Sequence, residues 1–369
     1  MLGIERLEER WNPASIPTAT IPIIPNEVLI GESFALTTRF DNTSSTDTGF
    51  GPYIDLYFPA TGIDGRVGPP NDGITFQSAT FMGINVNAQI ITLTAAGVDH
   101  PFARDINGNP VKITPPSGFF PGDQLVVLEL PYGSVTPTQP AIDIQVTANV
   151  SPLADNNAPL SIAARGGFRF GNDSLNNPSE DPIIIGPLTT DDVTPTVIKL
   201  SKIYVGTEDE TATGPNFPRQ YRIQLDIANG QTLTNINLTD VLPEELQFLR
   251  VDFTLANGNP TTTTLINTPS LTIPGGILTR QFSSVTGTSS AIDAEMIFSF
   301  YAPLNNTSGS PVLDPVTGND QVTTDDASAS AMWTPLDPRD QPTTVTSDII
   351  PIDHTLSDCP IRGFFHNIW

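Results

Sequence analysis

The sequence predicts an all-β protein. It would hold two tandem β-sandwich domains of immunoglobulin-like or prealbumin-like type, behind a short helical or disordered N-terminal tag. Three observations carry this expectation. Prolines number 36 in 369 residues and are spread throughout, and an interior proline removes a helical hydrogen bond and clashes with the preceding turn. Apolar residues recur with period two rather than 3.6. The alternating runs are short and bounded by Gly, Pro, Asn and Asp clusters, as in antiparallel sheets with one dry and one wet face.

In chain order, Phe34, Leu36 and Phe40 alternate with Ala35, Thr37 and Arg39. Ile54, Leu56 and Phe58 alternate with Asp55 and Tyr57, which places those two on the solvated side. Ile142, Ile144, Val146 and Ala148 oppose Asp143, Gln145, Thr147 and Asn149. Tyr221, Ile223, Leu225 and Ile227 oppose Arg222, Gln224 and Asp226, and Met296, Phe298 and Phe300 oppose Ile297 and Ser299. Pro59, Pro131 and Pro243 each close an apolar run, where a strand stops without losing a ladder bond.

The segment PIIIGPLTTDDVTPT, 182–196, combines a Gly-Pro turn, an Asp pair and a Thr-Pro step. It divides an expected first domain, 18–187, from a second, 193–348. The tag covers 1–17, and the tail 349–369 shows no clear period. The halves are weakly alike: GESFALTTRF then IDLYFP in the first, RQYRIQLDI then LTDVLP in the second. This is the pattern of a divergent repeat.

Acidic residues number 40 against 16 basic, for a net charge of −24. Such a chain repels phosphate backbones and anionic lipid, so nucleic acid is not an expected partner. It suits divalent cations or basic partners. The single cysteine, Cys359, excludes an intrachain disulfide. No window approaches the ~18 apolar residues of a spanning helix, so membrane insertion is not expected. No apolar core of about 7–15 residues follows the start, so export would use a route other than a standard signal peptide.

The run YRIQLDIANGQTLTNINLTDVLPEELQF, 221–248, resembles the bacterial surface repeat domains known as DUF11, which are related to fimbrial isopeptide-forming sandwiches. The positions that carry the likeness are Tyr221, Ile223, Leu225, Asn229, Gly230, Asp240, Leu242, Pro243, Leu246 and Phe248. DDASASAMW, 325–333, resembles the last strand of that family. The first half is similar to domains that precede such repeats, through IGESFALTTRFDN, GFGPYIDLYFP and RGGFRFGNDSLNNPSEDPIIIG. LEERWNPA, with Leu7, Glu8, Arg10, Pro13 and Ala14, is similar to a LEER-type motif at the head of large exported bacterial proteins.

This resemblance implies a covalent possibility. In the related fimbrial domains a first-strand Lys joins a last-strand Asn or Asp, assisted by a buried carboxylate. Lys199 and Lys202 supply the amine here, Asn319, Asp325 and Asp326 the acceptor, and Asp226 or Asp240 the assistance. Separately, Asp41, Asp47, Asp55, Asp64, Asp72, Asp173 and Asp181 lie among turn residues and are candidate Ca2+ ligands, because calcium takes about six to eight oxygens. No zinc, phosphate-loop or nucleophile-elbow motif is present, and no catalytic residues are expected. The expected function is structural or adhesive, at the bacterial surface or secreted, with other surface proteins, extracellular matrix or glycans as partners. The alternative is a carbohydrate-binding or enzyme-accessory module.

Overall fold

The computed structural model describes residues 16–65, 71–105, 107–170, 184–206, 209–210, 212–256, 262–313 and 321–356. Every regular element among them is a strand. None is a helix long and apolar enough to cross a membrane. The chain divides into two compact units, Met1–Thr196 and Val197–Trp369.

In the first unit one sheet runs β1 (Pro17–Ile23), β3 (Ser33–Asn42), β13 (Ile142–Val150), β6 (Ile74–Phe81) and β7 (Ile84–Asn85). The other runs β2 (Glu27–Leu29), β16 (Thr189–Thr196), β14 (Leu160–Phe168), β5 (Pro52–Phe58), β11 (Gln124–Glu129) and β8 (Asn87–Thr92). Short β15 (Ile184–Ile185) pairs with β14, and β4 (Gly49–Phe50) with β12 (Ser134–Val135). A hairpin of β9 (Val98–Arg104) and β10 (Pro110–Ile113) is added outside the two sheets.

The period-two pattern predicts these inner faces well. Phe40, Leu36, Ile144 and Val146 are buried to within 1%. The exception is β5, where all seven residues are buried. Asp55 and Tyr57 do not face water, because a second apolar cluster covers their side of the sheet. Tyr53, Tyr57, Phe102, Ile113, Phe119 and Leu125 form it, and Phe102 and Ile113 come from the β9–β10 hairpin.

Inside that cover Asp55 is wholly buried and needs partners. Its Oδ1 lies 2.8 Å from His100 Nε2, and its Oδ2 accepts from Arg165 Nη2 at 2.8 Å. The His100 Nδ1 accepts the backbone N–H groups of Phe102 and Ala103 at 3.1 and 2.7 Å. That fixes the ring proton on Nε2, facing the carboxylate. Arg165 Nη2 also donates to Tyr57 Oη at 2.7 Å. Burial first, and the Asp55 charge second, raise the Tyr57 phenol well above its usual range.

The second unit repeats this plan. One sheet runs β17 (Ile198–Val205), β19 (Arg219–Ile227), β24 (Ala294–Tyr301) and β21 (Gln247–Ala256). The other runs β18 (Asp209–Glu210), β27 (Ile350–Leu356), β25 (Gln321–Trp333), β20 (Thr232–Leu242), β23 (Gly276–Thr286) and β22 (Thr263–Asn267), with β26 (Thr343–Thr346) beside β25. The order β17-β19-β24-β21 matches β1-β3-β13-β6, and β27-β25-β20-β23-β22 matches β16-β14-β5-β11-β8. Even the short outer strands agree: β2 lies parallel to β16, and β18 parallel to β27. The weakly alike segments of the sequence thus sit on corresponding strands, β3 with β19 and β5 with β20.

Tyr221, Ile223, Leu225, Ile227, Met296, Phe298 and Phe300 are all fully buried, in the phase their alternation predicts. Two stretches differ from the sequence expectation. Residues 193–196, expected to open the second domain, lie in β16, which pairs with β14 and β2 in the first unit. Ile350–Leu356, given no element, forms β27 against β25.

The Asp55 cluster generates a test. Asp55→Ala leaves Arg165 and His100 facing a hole where a buried anion stood. Removing one partner of a buried pair costs about 3–5 kcal/mol. Urea unfolding of the full chain, with the first unit followed by limited proteolysis, should show its midpoint falling accordingly; an unmoved midpoint contradicts the role assigned to Asp55.

Candidate functional site

Strand β17 reads IKLSKIYV and has apolar residues on both faces. Its inward positions are Ile198, Leu200, Lys202 and Tyr204, while Ile203 and Val205 are 44% exposed. Lys202 therefore points into the sandwich, and its side chain is fully buried. From the facing sheet, β20 presents Asp240 between the buried Leu238 and Leu242, and β25 presents Asp325 in phase with Ala327 and Ala329. Both carboxylates are fully buried as well.

The three groups meet. Lys202 Nζ lies 2.7 Å from Asp240 Oδ2 and 2.8 Å from Asp325 Oδ2. It donates a hydrogen bond to the Asp325 backbone carbonyl at 3.1 Å. The ammonium also stands over the Tyr221 ring, 4.3 Å from its centroid, where the negative face of the π system attracts a cation. Lys202 Nζ is thus within reach of both carboxylates at once.

One ammonium cannot neutralise two carboxylates. Burial pushes both carboxyl groups above the ordinary range, with Lys202 opposing the rise in each. In Asp325 the nearby Asp240 charge adds to burial, so the two carboxyls hold a shared proton more readily than exposed ones would. An amine against a carboxylic acid, with a second carboxylate to take and return protons, is a donor set for condensation to an amide.

Of the other crosslink candidates, Lys199 and Asp226 sit opposite each other on β17 and β19, in the outward phase. Asp326 pairs with Val241 on the outward side of β25. Asn319 lies outside the described residues.

Among the described residues the calcium candidates do not converge. Asp55 is in the first unit's covered cluster. Asp41 lies on β3, and Asp47 is in the loop that Asn42 ties down through the Asp47 carbonyl. Asp72 packs against Gly62, while Asp64 stays in the turn at 61–65. Asp173 and Asp181 lie outside the described residues. Among the described residues no three His, Cys, Asp or Glu side chains gather as a metal ligand set.

Two features escaped the sequence reading. The Asp55–His100–Arg165 group was hidden because alternation counts Asp55 as outward and says nothing of a cover. His354 was hidden in a tail without period. It is 2% exposed and packs its ring on Tyr204, with centroids 4.7 Å apart, and on Phe300 at 5.8 Å. Trp333 is inside, and its Nε1–H donates to Gln231 Oε1 at 3.0 Å.

No family model matches the chain, and no curated protein matches it in sequence. Among solved structures it is similar to the C-terminal domain of the antigen I/II polypeptide BspA of Streptococcus agalactiae. The identity is 9% over 91% of this chain and 99% of that one, with a TM-score of 0.27. It is also similar to domains D2 and D3 of the major pilin SpaD from Corynebacterium diphtheriae. There the identity is 16% over 42% and 51% of the two chains, with a TM-score of 0.26. AvmM, which catalyses macrocyclization in alchivemycin A biosynthesis, gives 13% over 49% and 89%, with a TM-score of 0.28. At TM-scores this low none of these likenesses carries weight for function, and the β-sandwich class rests on the strands themselves.

The site predicts a pH dependence once the cation is removed. In Lys202→Met, both buried carboxyls lose the group that opposes their raised pKa values. A carboxyl with a raised folded pKa contributes stability that is present below the unfolded value, about 4, and lost as pH rises through the folded value. The variant's urea midpoint should be higher at mildly acid pH than at neutral pH. A midpoint that rises toward neutrality contradicts the assignment.

Proposed function

We propose that the chain is a non-enzymatic, structural or adhesive β-sandwich protein of the bacterial surface, and that an amide between Lys202 and Asp325 locks its second unit. The observation that carries this reading is the buried trio itself, with Lys202 Nζ within 2.8 Å of an oxygen of each carboxylate.

The step balances without any added reactant. The Lys202 ammonium gives a proton to the Asp240 carboxylate. The free amine attacks Cγ of the protonated Asp325, and a C–N bond forms. Asp240 shuttles protons to the departing hydroxyl, which leaves as water. Asp240 ends protonated and the amide neutral. Three groups with two formal charges become a neutral amide and a neutral acid, which suits a fully buried site far better.

The topology supports a mechanical role. Lys202 lies on the first strand of the unit and Asp325 on its long late strand, 123 residues apart. They belong to opposite sheets. A bond between them closes a loop that holds β19 to β24 and leaves β26 and β27 outside. The DUF11-like and LEER-type resemblances and the acidic, proline-rich composition fit an exported spacer or contact module. Other surface proteins or matrix are its partners in this reading.

Intact mass of the full chain tests the crosslink. The wild type should weigh one water less than its sequence, and Asp240→Asn should weigh the full sequence. A wild-type mass with no loss contradicts the proposal. By loop-closure entropy a bond across some hundred residues stabilises by about 4–5 kcal/mol, so Asp240→Asn should also melt about 10–20 °C lower in its second unit. Fractionation of the source cells tests the location: detection only in the cytosol contradicts a surface role.

A further inference from the structure

Strand β27 and its His354 bear on how the proposed bond forms. β27 pairs with β25, the strand that carries Asp325, in a register that sets Asp325 opposite Ile352 and Thr323 opposite His354. It also lies alongside β17, the strand that carries Lys202. One short element thus borders both strands whose side chains must meet, and it comes from the opposite end of the unit to β17.

His354 is buried, and its ring packs edge-on against an aromatic from each of three strands of the facing sheet. Centroid distances are 4.7 Å to Tyr204 on β17, 6.4 Å to Tyr221 on β19 and 5.8 Å to Phe300 on β24. Tyr221 and Phe300 are themselves stacked, 4.4 Å apart. Tyr221 is the ring under the Lys202 ammonium. His354 is therefore one contact removed from the reacting amine, through the ring that positions it.

Amide formation here depends on dryness. Burial is the leading cause that raises both carboxyl groups, and water would restore the ionised acid and the hydrated ammonium, which do not condense. β27, which borders both β17 and β25, bears on that condition. We infer that β27 is the closing strand of the crosslinking site, and that His354 is a positioning residue whose ring holds Tyr221 beneath Lys202 and excludes water.

The inference rests on the crosslink reading, and the experiment separates the two. The full chain is made by cell-free synthesis and sampled over time for intact mass, as wild type, His354→Phe, His354→Ala and His354→Gln. Asp240→Asn serves as the uncrosslinked reference for folding, judged by circular dichroism. The alanine and glutamine variants should lose water on the order of ten- to a hundredfold more slowly than the wild type, and phenylalanine should restore the rate. The glutamine variant carries the test if the alanine variant does not fold. Water loss at the wild-type rate without the ring overturns the role of His354 and leaves the crosslink standing. A phenylalanine variant as slow as alanine overturns the packing role. A wild type that never loses water overturns the crosslink and this inference with it.

Discussion

One fully buried ammonium held between two fully buried carboxylates is the constraint around which the second unit is arranged. Stripping an ion of its hydration costs several kcal/mol even after relaxation. Lys202, Asp240 and Asp325 all bear that cost together, with one charge too many for a pair. Such a site has two ways to reduce the cost: it takes up a proton, or it reacts. Burial drives the first by raising Asp325. The protonated acid beside an amine then makes the second possible. The surrounding structure serves this contact: β17 turns a lysine inward at the cost of two exposed apolar residues, Ile203 and Val205.

The two units answer the same architectural problem differently. They share a strand order in both sheets. In the first, the inward positions of the opening strand β1 are Ala19 and Ile21, and the sandwich interior there is apolar. Its buried ion pair sits instead on the outer face of β5, under the β9–β10 hairpin, where Arg165 and His100 face Asp55. A guanidinium makes no amide, whereas a lysine side chain carries a primary amine that can. The first unit thus holds a buried Arg–Asp ion pair, and the second a buried lysine between two carboxylates, the group proposed to condense.

Much of this was legible in the sequence, and the parts that were not have physical reasons. Period-two alternation named the inner faces of β3, β13, β19 and β24, because each has one dry side. It misplaced Asp55, because a cover added from elsewhere in the chain makes both sides of β5 dry. The crosslink candidates included Lys202, Asp240 and Asp325, but also Lys199, Asp226 and Asp326. For Asp240 the phase was readable, since Leu238 and Leu242 flank it at spacing two. On β17 it was not, because Ile198 and Leu200 on one face are matched by Ile203 and Val205 on the other. His354 lay in a stretch whose burial comes from docking between β25 and β17, and no local pattern records that.

A peptide map of the digested protein tests the central claim most directly. If the account holds, one branched fragment joins the β17 peptide to the β25 peptide through Lys202 and Asp325, with Asp240 in an unmodified linear peptide. Two separate linear peptides, with protease cutting after Lys202 as after any free lysine, would contradict it.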